Sequence, residues 1–385
     1  MKDFEFHNPV RIFFGKNQLE KISSQISKKD KVLMLYGSGS IFKNGVYDQI
    51  KTALKDFDVI EFGGIESNPC YETAMKAVKL VKEKKVDFLL AVGGGSVIDA
   101  TKFIAAAVFY DRNDPCDILS KAEPIKKSMP LGVVLTLPAT GTEMNMNSVM
   151  TRKSTREKLS FSSPFSYPRF SFLLPEAARS LPQRQVANVV VDAFVHVIEQ
   201  YLTYPVNAPI QDRFAESILV TLTEEGPKVY ANPSDYDAMS NLMWSATMAL
   251  NWLIQCGVPG DWSIHTIGHE LTALHDIDHA RTLAIVLPGL WAILKEEKKE
   301  KLLQYWERVW KITGGSDDER IAKSIDKTVE FFESLGIKTR LKDYGVKQDS
   351  IDKIVGRLEK RGMVAFGDRE LITPVVVRKV LEHQL

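Results

Sequence analysis

Cysteine is scarce in this chain, with three among 385 residues, at positions 70, 116 and 256. Cys70, Cys116 and Cys256 are odd in number, far apart and form no Cys-x-x-Cys pair, which argues against a disulfide framework and against a thiolate zinc site. A reducing compartment is the better fit. An excess of charge is missing too, since 50 basic and 49 acidic residues leave a formal net charge of +1. No nucleic acid and no membrane is therefore expected as the main partner. No apolar run approaches the roughly 20 residues of a membrane helix. The longest candidate, 186–198, is interrupted by Asn188, Asp192 and His196. The opening residues, Met1-Lys2-Asp3-Phe4-Glu5, lack the basic-then-apolar layout of a secretion signal. A cytoplasmic protein is the expectation.

A chain of 385 residues exceeds one typical core, so two domains are expected. Its first part alternates short apolar runs with helical stretches. The runs lie at 31–36 (KVLMLY), 58–62 (DVIEF), 88–92 (FLLAV) and 131–137 (LGVVLTL), and helical spacing fills 47–55, 71–84 and 97–107. Continuous apolar strands alternating with amphipathic helices predict a parallel sheet covered on both faces. Beyond about residue 178 the strand signal fades. Ser180 can cap a helix with Pro182 in its first turn, and this helix runs on until Pro205 stops it. Further helical patterns follow at 208–225, 236–254, 261–274, 280–297, 300–313, 317–335 and 350–360. The chain thus divides into an α/β domain, 1–178, and an all-α domain, 179–385.

In an open parallel sheet, ligands bind beyond the carboxyl ends of the strands. Gly93-Gly94-Gly95-Ser96 follows one buried strand and opens a helix, where backbone N–H groups and the helix dipole favour a pyrophosphate. A tight turn without a ligand is the plain alternative. Gly37-Ser38-Gly39-Ser40 is less specific, because position 42 is Phe and the third glycine of a GxGxxG pattern is absent. The segment from Thr136 to Glu143 offers hydroxyls at a third strand end. Three such ends in succession favour a nucleotide over any one alone.

Histidine is also rare, yet four of the seven fall within fifteen residues: His265, His269, His275 and His279. His265 and His269 share one helical face, as do Asp192 and His196 on an earlier apolar helix. A carboxylate in such a helix would be expensive without a partner. Three imidazoles with one carboxylate suit a divalent metal, Fe(II) or Zn(II), whereas a single histidine would be read as an ordinary core or surface residue.

These residues, in this order, resemble the iron-containing (group III) alcohol dehydrogenase family. The likeness spans nearly the whole chain: the Gly93–Ser96 turn followed by Asp99, LPATGTE at 137–143, Asp192-x-x-x-His196, and His265-x-x-x-His269 with His279. FHNP (6–9), NGVYDQ (44–49), ESNPCYET (66–73) and ERVWKIT (307–313) look close to its NADP-dependent aldehyde reductase and butanol dehydrogenase branch. The resemblance implies a Rossmann-like N-terminal domain and an all-α C-terminal domain, a dehydroquinate synthase-like architecture with the active site in the cleft between them. It implies Asp192, His196, His265 and His279 as metal ligands, and His269 as the catalytic proton relay beside the nicotinamide. Gly94, Gly95 and Ser96 would cradle the pyrophosphate. Asn68, Asp99, Thr136, Thr140, Thr142 and Lys158 would contact the rest of the cofactor, together with Gly37, Ser38, Gly39 and Ser40. Ser38 replaces a glycine of close relatives. The short 10–15 run (VRIFFG) would serve a homodimer.

Hydride transfer to an aldehyde builds negative charge on the carbonyl oxygen, which a divalent cation stabilises and His269 would then help to protonate. NAD-preferring relatives often carry an acidic residue just after the first strand. Here that position is Gly37, so NADP(H) is expected over NAD(H), with Glu66 as a counter-signal. Asn147, Met150, Leu253 and Trp262 are candidate walls for a small aldehyde or alcohol substrate. Alternative functions are a polyol dehydrogenase, a dehydroquinate synthase-like lyase, and a non-enzymatic nucleotide-binding protein with a structural metal.

Overall fold

The computed structural model describes all 385 residues. Its strands are β1 (Arg11–Phe14), β2 (Val32–Tyr36), β3 (Val59–Phe62), β4 (Phe88–Gly94), β5 (Leu131–Leu137), β6 (Asn147–Arg152), β7 (Glu157–Ser162) and β8 (Phe170–Leu173). The helices among them are α1 (Ser40–Lys43), α2 (Val46–Ala53), α3 (Tyr71–Lys84), α4 (Gly95–Ala107) and α5 (Asp117–Ser120). There follow α6 (Gln183–Tyr201), α7 (Pro209–Ala231), α8 (Tyr236–Ala249), α9 (Ser263–His275), α10 (His279–Ile293), α11 (Lys299–Arg308), α12 (Asp317–Ser334), α13 (Gln348–Lys360) and α14 (Pro374–His383). No helix is long and apolar enough to cross a membrane.

Six strands form one sheet in the order β1-β8-β5-β4-β2-β3, all parallel. Alternate residues Val32, Met34, Phe88, Leu90, Val92, Phe170 and Phe172 join one apolar cluster with Ile41, Val46 and Ile50 from the helices. Their neighbours Leu33, Leu35, Leu89, Ala91, Val133 and Leu135 are buried as well. Both faces are therefore covered, which is why these strands read as unbroken apolar runs rather than as alternating ones.

The sequence pattern shows four of the six strands as such. The family resemblance implies β-structure at 10–15 for a dimer contact, and within the chain β1 lies at the sheet edge, with Arg11 beside Phe170 and Phe14 beside Leu173. β8 and the antiparallel β6–β7 hairpin are additions. The hairpin carries Arg152, Glu157 and Lys158 on half-buried strands, so it has no apolar run to betray it.

The chain forms two compact units, one of His7–Leu181 with Pro233–Thr247, the other of Met1–Phe6 with Pro182–Asn232 and Met248–Leu385. A single division at 178/179 therefore misses two exchanged segments. Most of α8 belongs with the sheet, where Thr247 Oγ1 donates to Glu143 at 2.5 Å and Trp244 meets Phe14 edge-on at 6.1 Å. The N-terminal residues belong with the helices, held by Lys2 N–H on the Gly257 carbonyl at 2.8 Å.

In the helical unit α6 is central, with 15 of its 19 residues buried. Helix α7 runs through Gly226-Pro227 to Ala231 rather than stopping at 225. Gly226 lets it lie against α6, since a Cβ there would come 2.8 Å from Val190 Cγ1. Helix α8 stops at Ala249, short of the expected 254, and Trp252 just beyond it has φ 72°. Helix α14 has no counterpart in the sequence pattern; it packs where Gly289 of α10 exposes backbone, a Cβ there falling 2.7 Å from the Val380 carbonyl oxygen.

Gly132 in β5 lies beside Phe170, and an added Cβ would overlap that ring. Phe170 cannot move aside, being stacked on Phe88 at 5.8 Å and edge-on to Phe172 at 5.6 Å. Gly132→Ala should therefore destabilise the sheet unit by about 1–3 kcal/mol, the usual range for overpacking. Urea unfolding checks this; an unchanged midpoint contradicts it.

Candidate metal centre and dinucleotide-binding strand ends

Three helices of the helical unit bring acid and imidazole together. α6 supplies Asp192 and His196, one turn apart and both 4% exposed. α9 supplies His265 and His269, and α10 begins with His279. The ligand atoms of Asp192, His265 and His279 lie within 4.8 Å of one another, a group that could hold a metal ion. Asp192 Oδ1 stands 3.8 Å from His279 Nε2 and 4.0 Å from His196 Nδ1. The His196 and His265 rings stack at 4.7 Å, and His269 lies 4.9 Å from His279 and 6.3 Å from His265. His196 Nδ1 is buried without a hydrogen-bond partner, as a nitrogen reserved for a cation would be. One carboxylate and three imidazoles, with no thiolate, form a donor set suited to Zn(II) or Fe(II). His275 ends α9 outside this group.

Two carboxylates that the sequence reading passed over hold the cluster in place. Glu199 Oε1 accepts the His265 backbone N–H at 2.9 Å and lies 3.1 Å from its Nδ1. It thereby orients the ring, as carboxylates beside buried histidines commonly do. Burial first, and Asp261 second, push Glu199 well above the usual carboxylate range. Asp278, just ahead of His279, accepts from Arg184 Nε and Asn188 Nδ2 of α6, both at 2.9 Å, which fixes the start of α10. The legible signal for Glu199 was its place three residues after His196 in an apolar helix. Lys298 meets Asp261 at 2.5 Å, and Asp261 in turn accepts the Ser263 N–H at the start of α9 at 3.2 Å.

Of the expected wall residues, Trp262 flanks the cluster, 5.5 Å from His265 and 6.4 Å from His196, while Met150 is fully buried. Trp262 has φ 60° and stands 5.8 Å from Trp252. Both tryptophans hold left-handed backbone, which is rare for bulky residues and is retained only where the surroundings demand it.

In the sheet unit, β4 ends at Gly94, which opens α4 with no side-chain cap, so the first amides of the helix remain available. A Cβ on Gly95 would lie 2.5 Å from Thr140 Oγ1, one on Gly93 2.7 Å from Val97 Cγ2, and one on Gly94 3.0 Å from Leu137 Cβ. Thr140 Oγ1 is itself buried with no hydrogen-bond partner. A side-chain-free turn beside an unsatisfied hydroxyl and free helix-start amides fits a phosphate. Ser96 Oγ donates to the Ser67 carbonyl. Ser38 and Ser40 are exposed around Gly39, which has φ 112°, while Gly37 and Asn68 are half-buried. Thr136 is buried at the end of β5. Glu66, the possible counter-signal for cofactor choice, is engaged by Thr73 at 2.9 Å and Lys153 at 3.2 Å.

Asp99 and Thr142 are turned to internal duty. Thr142 Oγ1 donates to Asp99 Oδ1 at 2.6 Å, Val149 N–H donates to Oδ2 at 3.1 Å, and Ser148 Oγ to the Asp99 carbonyl at 2.8 Å. Burial raises the Asp99 carboxyl despite opposing charge from Lys102 and, last in size, from half-buried Lys158 of β7. Lys102, one turn after Asp99 and fully buried, escaped the sequence reading; burial pushes its ammonium down to about 7, against the pull of Asp99 and Glu143.

Burial pushes His196 down to about 3 from its ordinary 6.5, so the folded chain keeps this imidazole neutral. An unfolded chain takes up that proton below about 6.5. Stability is thus fully present above the unfolded value and is lost as pH falls from about 6.5 toward 3, by about 1.4 kcal/mol per unit. Thermal melts of the metal-stripped protein across this range should show the decline, and His196→Gln should flatten it. Parallel profiles for the two proteins would refute the assignment.

Residues 9–175 match the family described as iron-containing alcohol dehydrogenase, and residues 186–365 match the C-terminal part of the Fe-containing alcohol dehydrogenase family. The chain is 56% identical to the NADPH-dependent aldehyde reductase YqhD of Escherichia coli over 384 residues, covering 99% of each sequence. A crystal structure of Escherichia coli YqhD superposes with a TM-score of 0.98 at 54% identity, covering 100% of this chain and 99% of that one. The NADH-dependent butanol dehydrogenase A structure from Thermotoga maritima gives 0.95 at 36% identity, covering 100% and 99%. With both family regions matched and 56% identity to an aldehyde reductase along nearly its whole length, this chain belongs to the iron-containing alcohol dehydrogenases, in their aldehyde reductase branch.

Proposed function

We propose that the protein is a metal-containing alcohol dehydrogenase and aldehyde reductase that exchanges hydride between NADP(H) and small aldehydes or alcohols. The observation that carries this reading is the convergence of Asp192, His265 and His279, with ligand atoms within 4.8 Å of one another in a buried setting. With His196 they would hold one divalent cation, Fe(II) or Zn(II). When bound, the cation supplies Lewis acidity at a carbonyl oxygen and a reduced nicotinamide supplies the hydride.

The remaining work falls to side chains. Glu199 holds His265 by its Nδ1 and so would present the ring to the cation through Nε2. His269, less buried than His265, is suited to donate a proton from a ring nitrogen to the substrate oxygen as it gains charge. Trp262 and Trp252 present an apolar wall that excludes water and suits a short aliphatic chain. The Gly95 turn, the α4 amides and Thr140 Oγ1 would receive the pyrophosphate. The 37–40 segment contains no acidic residue that would repel a 2′-phosphate, which supports NADP(H). The second edge of β1 is unpaired within the chain, in keeping with a homodimer, and three free cysteines fit a reducing compartment.

Chelation followed by gel filtration should abolish NADPH oxidation in the presence of butanal, and Fe(II) or Zn(II) should restore it. His265→Ala should lower kcat/KM by at least about a hundredfold, the effect of losing several kcal/mol of charge stabilisation. Full turnover by metal-free protein would sink the proposal. Cofactor choice has its own test. A Cβ on Gly37 meets nothing closer than the Ile65 carbonyl oxygen at 3.4 Å, so a side chain fits there. Gly37→Asp should reduce the ratio of NADPH to NADH efficiency by about tenfold or more through like-charge repulsion, and an unaltered ratio would rule out this segment as the 2′-phosphate site.

A further inference from the structure

The buried lysine of α4 has surroundings that an ordinary ion pair does not explain. Lys102 Nζ lies 2.6 Å from the Thr142 carbonyl, 2.8 Å from Thr142 Oγ1, 2.8 Å from the Asn145 carbonyl, 3.2 Å from Asn145 Oδ1 and 2.9 Å from the Asn147 carbonyl. An ammonium has three protons and no acceptor capacity, so five oxygens share it without any one-to-one pairing. The proton of Thr142 Oγ1 is directed to Asp99 Oδ1 at 2.6 Å, so this hydroxyl also faces Nζ as an acceptor. Three backbone carbonyls and two side-chain oxygens are the kind of ligand shell with which proteins replace the water around a potassium ion.

We propose that Lys102 is a positioning residue acting as a tethered monovalent cation: its ammonium occupies a potassium-like oxygen cage and thereby shapes the 140–147 segment that receives the dinucleotide. Without positive charge, three carbonyls would face one another in buried space with no donor, which is unfavourable for each of them. Asp99 secures the other side of the same segment through Thr142 and Val149. Two atoms of that segment, Thr140 Oγ1 and Asn147 Oδ1, are buried with no hydrogen-bond partner, and Thr140 is the residue set against Gly95. The cage therefore determines where an unsatisfied hydroxyl stands relative to the start of α4. This inference rests on the reading of the Gly95–Thr140 turn as part of the dinucleotide site.

Lys102→Ala empties the cage and allows a free cation to enter. Two quantities are measured on the metal-loaded protein at constant ionic strength, in choline, potassium or ammonium chloride: the thermal midpoint without dinucleotide, and the Kd for NADPH by fluorescence titration. In choline the variant should bind NADPH at least about tenfold more weakly than the wild type and melt lower. Potassium or ammonium should restore both quantities in the variant while leaving the wild type unaffected. A folded variant that is indifferent to these cations overturns the proposal. Lys102→Met, which fills the space without charge, should bind NADPH weakly in every salt; wild-type affinity in this variant also overturns it and decides the matter should the alanine variant not fold. Failure of the wild type to bind NADPH would instead refute the dinucleotide reading, and the cation dependence of the Lys102→Ala midpoint would still report on the cage.

Discussion

A charge taken out of water must find a partner, and the helical unit is organised around that constraint. Asp192 sits in the middle of α6 with 4% of its surface exposed, surrounded by valine, alanine and phenylalanine. Imidazoles are the groups that reach it, from its own helix and from the start of α10. Burial keeps His196 neutral, so this imidazole brings lone pairs rather than positive charge to the cluster. The surrounding contacts follow from holding this cluster still: Glu199 behind His265, Asp278 tied to Arg184 and Asn188, and Lys298 on Asp261 at the head of α9.

The sheet unit meets the same constraint in another way. Asp99, Lys102 and Glu143 are all buried; the two carboxyl groups favour the Lys102 ammonium, and Thr142, Val149 and Thr247 donate hydrogen bonds to them. A network of this kind is rigid because each partial loss leaves a buried group unsatisfied. It lies next to the Gly93–Gly95 turn, where Thr140 Oγ1 is buried without a hydrogen-bond partner.

Much of this was legible in the sequence, for identifiable reasons. The central strands are apolar on both faces, so their runs are continuous and their glycine-rich ends stand out. Asp192 and His196, like His265 and His269, keep the four-residue spacing that places two side chains on one helical face. Less legible was anything whose partner lies far along the chain. Glu199 looks like one more charged residue near a helix end until His265 is brought to it from 66 residues away. Lys102 reads as a solvated helix lysine until the 142–147 segment folds over it. The β6–β7 hairpin and α14 lack strong apolar patterning, since both are shaped by what they pack against.

By itself, the sequence determined the alternation of strand and helix, the change to helices near residue 180, and the stock of acid and imidazole groups at helical spacing, because periodicity and local spacing are properties of neighbouring residues. Tertiary structure alone decided that α8 packs with the sheet, that Asp99 turns inward, and that Glu199 meets His265, Asp278 meets Asn188 and Lys102 meets the 142–147 segment. The physical reason is that these roles depend on desolvation and on hydrogen bonds between distant segments, and neither exists until the chain has closed on itself.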